Sequence, residues 1–228
     1  EAERSTADTR HGPIEYVSWG EGPPVLVVHG AGGGFDQGRI LARAIGGDGY
    51  RWISVSRFGY LGSALPETPS TAAQAEAFAD LLDTLNIGRV SILAMSGGVP
   101  PSLQFAAMHP ERTDRMMLLS PAPFTPFSPE VGDRPIEAAF DARADLREGL
   151  TDEEALFVRD LIDAFLPASR RLAGVNNEGA AVDPSATYNL EAIRANVLIV
   201  HARDDRLNPF AVGSTLAARI PQSRFLPL

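Results

Sequence analysis

The chain of 228 residues contains no cysteine, which excludes disulfides and thiolate chemistry and leaves its redox compartment open. It has no apolar run approaching the length of a membrane span. Its four histidines are scattered, none at a His-Glu-x-x-His or similar ligand spacing, so no metal or cofactor is implied. Positive charge is short: 20 basic against 29 acidic side chains give a net charge of −9. With a pI near 4.9, that balance disfavours nucleic acids and anionic membranes and says little about substrate. The first residue is Glu1 rather than methionine, a start compatible with a removed signal peptide, an upstream anchor or a cut chain. A cytoplasmic location and an exported or anchored one therefore both stay open, and oligomeric state is not readable. What is present is ordinary for one globular domain: 44% hydrophobic and 21% charged residues, on a chain long enough to bury a substantial core.

Strand and helix signals alternate along most of the sequence. Residues 14–19 and the run Val25-Leu26-Val27-Val28 read as strands, the second of the kind buried on both faces, with the turn Gly20-Glu21-Gly22-Pro23 between them. A helix is expected over 36–45 and a strand over 51–55. Thr71-Ala72-Ala73-Gln74 has the pattern of a capping box opening a helix whose stripe is Ala75, Phe78, Leu81, Leu82 and Leu85. A strand at 89–95, a helix at 98–108, strands at 116–119 and 197–200, a helix from Pro209 to about Ile220 and a final strand beginning near Arg224 complete the series. Such alternation predicts an α/β fold, a mostly parallel sheet with helices on both faces. Residues 121–190 break the rhythm with crowded prolines and two helical stretches, the second capped by Thr151-Asp152-Glu153-Glu154. An insertion of that length is too long for a plain connection, and a helical lid is expected there. The expected layout is a core over 1–120, a cap over 121–190 and the remainder of the core over 191–228.

The chemistry concentrates at Ser91-Ile92-Leu93-Ala94-Met95-Ser96-Gly97-Gly98. A buried strand runs into a serine with small residues two positions away on each side, and a helix follows. This small-x-Ser-x-small elbow places a hydroxyl on a tight turn and aims a helix N-terminus at it. Serine is a weak nucleophile, so it needs a base, a group that orients the base, and backbone donors for the oxyanion of acyl transfer. A phosphate loop is the competing reading of the glycines, but its lysine is absent nearby. His29-Gly30-Ala31-Gly32-Gly33-Gly34 follows another buried strand and offers amides that could approach a reacting carbonyl. It fails the dinucleotide pattern Gly-x-Gly-x-x-Gly at the last glycine, and His29 reads as a buried residue shaping the loop rather than a base. Asp204-Asp205 follows the strand ending at Val200, so one carboxylate could orient a histidine while the other caps a helix or pairs with an arginine. Arg57-Phe58-Gly59-Tyr60 reads as a plain turn with an aromatic packed beside it.

Taken in order, His29-Gly30, Ser56-Arg57-Phe58-Gly59-Tyr60-Leu61-Gly62-Ser63, Ala94-Met95-Ser96-Gly97-Gly98, His109-Pro110-Glu111-Arg112 and Asp205 four residues before Pro209 resemble the α/β-hydrolase fold superfamily, of the type with a helical cap. The resemblance spans about Ile14 to Leu228 apart from the cap. It implies Ser96 as nucleophile and Asp205 as the triad acid, with Asp204 next in rank. The amides of Ala31 (or Gly32) and Gly97 would be the oxyanion donors, with Gly32 and Met95 in contact with substrate. Serine at the elbow argues against the haloalkane dehalogenases and epoxide hydrolases of the superfamily. The family's histidine follows the last strand, and none of His11, His29, His109 or His201 holds that place. The expectation is therefore a sequence truncated before its histidine, with at most residual activity as it stands. The function expected is a serine hydrolase of a small ester-like or activated carbonyl substrate, acting through an acyl-enzyme. A carbon–carbon bond hydrolase ranks lower because the loop after His29 lacks the proline of those enzymes. An acyltransferase on the same scaffold and a non-catalytic binding protein or relic complete the alternatives.

Overall fold

A computed structural model describes residues 3–122, 148–181 and 188–228, without the side chains of 179–181. Eight strands form one sheet in the order β1-β2-β4-β3-β5-β6-β7-β8. They are β1 (Arg4–Thr9), β2 (Gly12–Trp19), β3 (Pro24–Val28), β4 (Arg51–Val55), β5 (Val90–Met95), β6 (Thr113–Leu119), β7 (Asn196–His201) and β8 (Ser223–Pro227). The pairs β1–β2 and β2–β4 are antiparallel, and every other neighbouring pair is parallel. The mostly parallel α/β sheet expected from the sequence is thus present, with one hairpin added at its start. The described helices are α1 (Phe35–Ile45), α2 (Thr71–Thr84), α3 (Val99–Met108), α4 (Asp152–Asp163), α5 (Leu172–Ala181) and α6 (Phe210–Arg219).

The period-two geometry of the strands divides the core between the two faces of the sheet. Leu26, Val28, Ile53, Val55, Ile92, Ala94, Met116 and Leu118 point into the larger cluster, which α2, α3 and α6 cover with Phe78, Leu81, Leu103, Phe105 and Leu216. Their neighbours Val25, Val27, Trp52 and Leu93 point the other way, against Leu41 and Ala42 of α1, with Met117, Leu119, Phe157 and Leu161 at the margin. Because β3 and the centre of β5 are buried on both faces, they need continuous apolar runs, and those runs are what marked them in the sequence.

One strand was not expected, and one expectation requires correction. The hairpin strand β1 went unread because Arg4-Ser5-Thr6-Ala7-Asp8-Thr9 has one buried apolar residue, Ala7, and shows no apolar alternation. Helix α2 is capped by Ser70 rather than Thr71: the Ser70 hydroxyl accepts from the Ala73 amide at 3.0 Å. Gln74 does not close a capping box, since its Oε1 accepts from the Phe58 amide at 2.7 Å instead. By contrast, Thr151 and Glu154 do form the reciprocal box at the start of α4. The first helical stretch and most of the prolines expected between β6 and α4 lie outside the described residues.

Candidate active site

Apart from Met95, which ends β5, the sequence-predicted site residues come from loops at the C-terminal ends of the parallel strands, the edge where open α/β sheets bind ligands. The loop after β3 brings Ala31 and Gly32, β4 leads to Arg57 and Tyr60, β5 to Ser96 and Gly97, β6 to Ser120, and β7 to Asp205 and Asn208. Ser96 has φ of 48°, in the left-handed region, and starts a short 3-10 turn that runs directly into α3. The glycine two residues on is required by packing. A Cβ on Gly98 would stand 2.5 Å from the carbonyl oxygens of both Val28 and His29. Small size at this position therefore lets the elbow cross over the end of β3.

The two expected oxyanion donors are brought together. The Ala31 nitrogen lies 3.3 Å from the point a Cβ on Gly97 would occupy. Gly32 is differently engaged, because its N–H donates to the Tyr60 hydroxyl at 3.1 Å. Of the two loop amides, Gly32 is thus bonded to Tyr60, while Ala31 lies beside Gly97. Met95, at the last position of β5, is partly buried, and its Cε approaches within 3.2 Å of the Cβ position of Gly30.

Of the two aspartates, Asp204 is exposed and Asp205 turns inward. Asp205 Oδ1 accepts from the amides of Leu207 and Asn208, both at 2.9 Å, and Oδ2 accepts from the Ser120 hydroxyl. The Asn208 side chain then links this carboxylate to the serine, with Nδ2 at 3.2 Å from Ser96 Oγ. None of the four histidines hydrogen-bonds Ser96. His11 pairs with Glu76 at 2.6 Å, and His109 packs against Phe105. His201 Nε2 sits 3.0 Å from the Asn208 carbonyl and 3.4 Å from Asp205 Oδ2. His29 behaves as the sequence suggests: fully buried, its Nδ1–H donates to the Gly30 carbonyl at 2.6 Å while Nε2 accepts the Arg57 amide at 2.9 Å. Burial, and then the Arg57 charge, push this imidazole well below its ordinary value and keep it neutral.

A second cluster escaped the sequence reading. Arg57–Tyr60 is a turn, closed by Tyr60 N–H donating to the Arg57 carbonyl at 3.1 Å, but Arg57 is also one half of a buried ion pair with Glu178 of α5. Tyr60 Oη donates to the same Glu178 Oε1 at 2.5 Å. Burial acts against the Arg57 cation, yet the Glu178 charge and Tyr60 hold it above its ordinary value. Burial and then Glu178 push the Tyr60 phenol well up, so it stays a donor. The other Glu178 oxygen reaches to 2.8 Å of the Cβ position of Gly97. A cavity of about 20 Å³ opens here between Gly97, Glu178, Arg57, Thr71 and Gln74, enough for one water beside the otherwise unpartnered Gln74 Nε2. No local pattern marks Glu178, which stands 121 residues from its arginine.

Among the described residues no group of three or more potential ligands could hold a metal ion, and no helix is long and apolar enough to cross a membrane.

Comparison with known proteins adds four findings. Residues 23–147 match the model of a family described as the alpha/beta hydrolase fold. An uncharacterized hydrolase of Bacillus subtilis (strain 168) is 34% identical over 109 residues, 48% of this chain; the chain spans 38% of that relative's length. A 2-hydroxy-6-oxononadienedioate/2-hydroxy-6-oxononatrienedioate hydrolase of Burkholderia vietnamiensis (strain G4 / LMG 22486) is 27% identical over 92% of this chain and 81% of its own. Among solved structures, an alpha/beta hydrolase fold protein from Nakamurella multipartita superposes with a TM-score of 0.80 at 26% identity, covering 99% of this chain and 90% of that one.

Proposed function

The chain belongs to the α/β-hydrolase fold family, and from that premise we propose that it is a serine hydrolase of a small ester-like or otherwise activated carbonyl substrate. The observation that carries this reading is Ser96, held at φ of 48° on a strand-to-helix turn with the Ala31 and Gly97 backbone beside it. Ser96 Oγ attacks the carbonyl carbon and its proton passes to a base. The carbonyl oxygen becomes an oxyanion that the Ala31 and Gly97 amides stabilise. Collapse expels the leaving group with a proton from the protonated base, and water then releases the acyl group from Ser96. Asp205 is the acid that orients the base, a role its inward carboxylate suits better than exposed Asp204. The reading requires a base able to reach Ser96 Oγ, and the partners of His11, His29, His109 and His201 leave none of them in that place. Gly32 and Met95 are proposed substrate contacts.

Residues 121–190 are proposed as a cap over this edge. In support, Arg171 donates to the Gly33 carbonyl at 2.6 Å and pairs with Asp36, and Gly174 N–H donates to the Gly59 carbonyl at 2.9 Å. Glu178 completes the attachment at Arg57.

A second reading, hydrolysis of a carbon–carbon bond next to a carbonyl, is favoured by the named activity of the Burkholderia vietnamiensis relative. Both use the same serine, so one experiment tests their shared premise. A fluorophosphonate probe is expected to label the full-length protein at Ser96, and Ser96→Ala is expected to abolish labelling. Labelling that persists in Ser96→Ala refutes the site. Absence of labelling in folded wild-type protein favours a binding protein. Turnover of a short p-nitrophenyl ester against a 2-hydroxy-6-oxodienoate then separates esterase from carbon–carbon hydrolase.

A further inference from the structure

Asn208 is nine-tenths buried and is bonded through its backbone N–H, its backbone carbonyl and its side-chain Nδ2. Its N–H donates to Asp205 Oδ1 at 2.9 Å, and its carbonyl lies 3.0 Å from His201 Nε2. Its two Nδ2 hydrogens are shared among three oxygens: Ser96 Oγ at 3.2 Å, the Ser120 carbonyl at 2.9 Å and Ser120 Oγ at 2.9 Å. The Ser120 carbonyl can only accept, so the amide cannot face the other way without setting two carbonyl oxygens against each other. Ser120 is itself fixed, with φ of 43°, its N–H on the Val200 carbonyl at 2.9 Å and its hydroxyl donated to Asp205. The donors and acceptors therefore close a ring through Asp205, Ser120 and Asn208, and one N–H leaves that ring to meet Ser96.

We propose that Asn208 is a positioning residue for the Ser96 hydroxyl, with Ser120 as the strut that ties it to Asp205. This rests on the reading of Ser96 as nucleophile. Asn208 is a donor toward Oγ, so the serine accepts on that side and its own hydrogen is turned away, free for a base. The same N–H stabilises negative charge as it grows on Oγ during deprotonation. Pairing the serine with the loop that carries the acid also keeps the two in one fixed relation, although they lie on different strands.

The test uses the full chain and a fluorophosphonate, with labelling rates measured from pH 5 to 9. Asn208→Leu keeps the side chain's bulk without a donor. It is expected to lower the rate about tenfold across the whole pH range, more than any fall in the folded fraction accounts for, because Oγ loses a stabilising N–H. Ser120→Ala is expected to lower the rate in the same way by a smaller amount. A purely structural role would instead reduce labelling only as far as the folded fraction falls, in step with a lower melting temperature, and that result overturns the proposal. So does a profile identical to wild type. A second measurement needs no reactivity: in the amide NMR spectrum, the Asn208 side-chain pair, assigned by its loss in Asn208→Leu, is expected to move on Ser96→Ala. An unmoved pair refutes the contact. Wild-type protein that resists labelling while the pair does move refutes the nucleophile reading and leaves the contact standing.

Discussion

Gly97 and Gly98 are neighbours with opposite tolerances. A methyl group on Gly98 meets two backbone oxygens at 2.5 Å, and neither can swing aside without distorting the end of β3. Gly98→Ala is expected to cost about 2 kcal/mol, a fall in melting temperature of roughly 5 °C by calorimetry. A methyl group on Gly97 meets Glu178 Oε2 at 2.8 Å, the end of a side chain, and the Ala31 nitrogen at 3.3 Å. Gly97→Ala should therefore spare stability more than Gly98→Ala does, and instead slow fluorophosphonate labelling by crowding the proposed oxyanion site. The elbow was legible in the sequence because its demands are local: small residues two positions either side of a serine. Asn208 was not, because its partner Ser96 is 112 residues away, and nothing in Leu207-Asn208-Pro209 signals an amide reaching so far. Glu178 failed to register for the same reason.

At the scale of elements, the one-residue error at the start of α2 yields a direct comparison. Ser70 caps the helix, so Ser70→Ala is expected to lose about 1 kcal/mol in denaturant titrations. Thr71→Ala leaves that cap intact; its hydroxyl accepts from Tyr188 Oη at 2.9 Å, so its loss weakens the contact with residue 188. Equal effects of both substitutions on the helix would contradict the assignment. Strands β3 and β5 could be read from the sequence because burial on both faces forces apolar runs. Strand β1 could not, since an edge strand made of Arg, Ser, Thr and Asp is held by its ladder to β2 rather than by side-chain burial.

For the whole molecule, two buried charge arrangements set how stability responds to conditions. Glu178→Leu removes the counter-ion of a buried Arg57, which is expected to destabilise the fold by about 3–5 kcal/mol, measured in urea. Arg57→Met combined with Glu178→Leu should recover part of that loss, since no charge is then left alone. His29 adds a dependence on pH. Its folded value lies well below the ordinary 6.5, because burial and Arg57 both oppose protonation. The unfolded chain takes up a proton below that pH while the folded chain does not. Its contribution is thus fully present above 6.5 and declines as pH falls, by up to about 1.4 kcal/mol per pH unit from this residue. Melting temperature is expected to drop between pH 7 and pH 5.5, and to drop less steeply in His29→Gln.

The left-handed backbone at Ser96 has a consequence for how sequences of this fold drift. A side chain in that conformation costs about 1–3 kcal/mol that glycine largely avoids. Ser96→Gly is the replacement that heat resistance alone would favour, and it erases the hydroxyl. A library screened only for thermal survival should accumulate variants without the proposed nucleophile at this codon, whereas one screened for turnover should keep serine there. The identity of residue 96 in the survivors then reports which of the two pressures was acting.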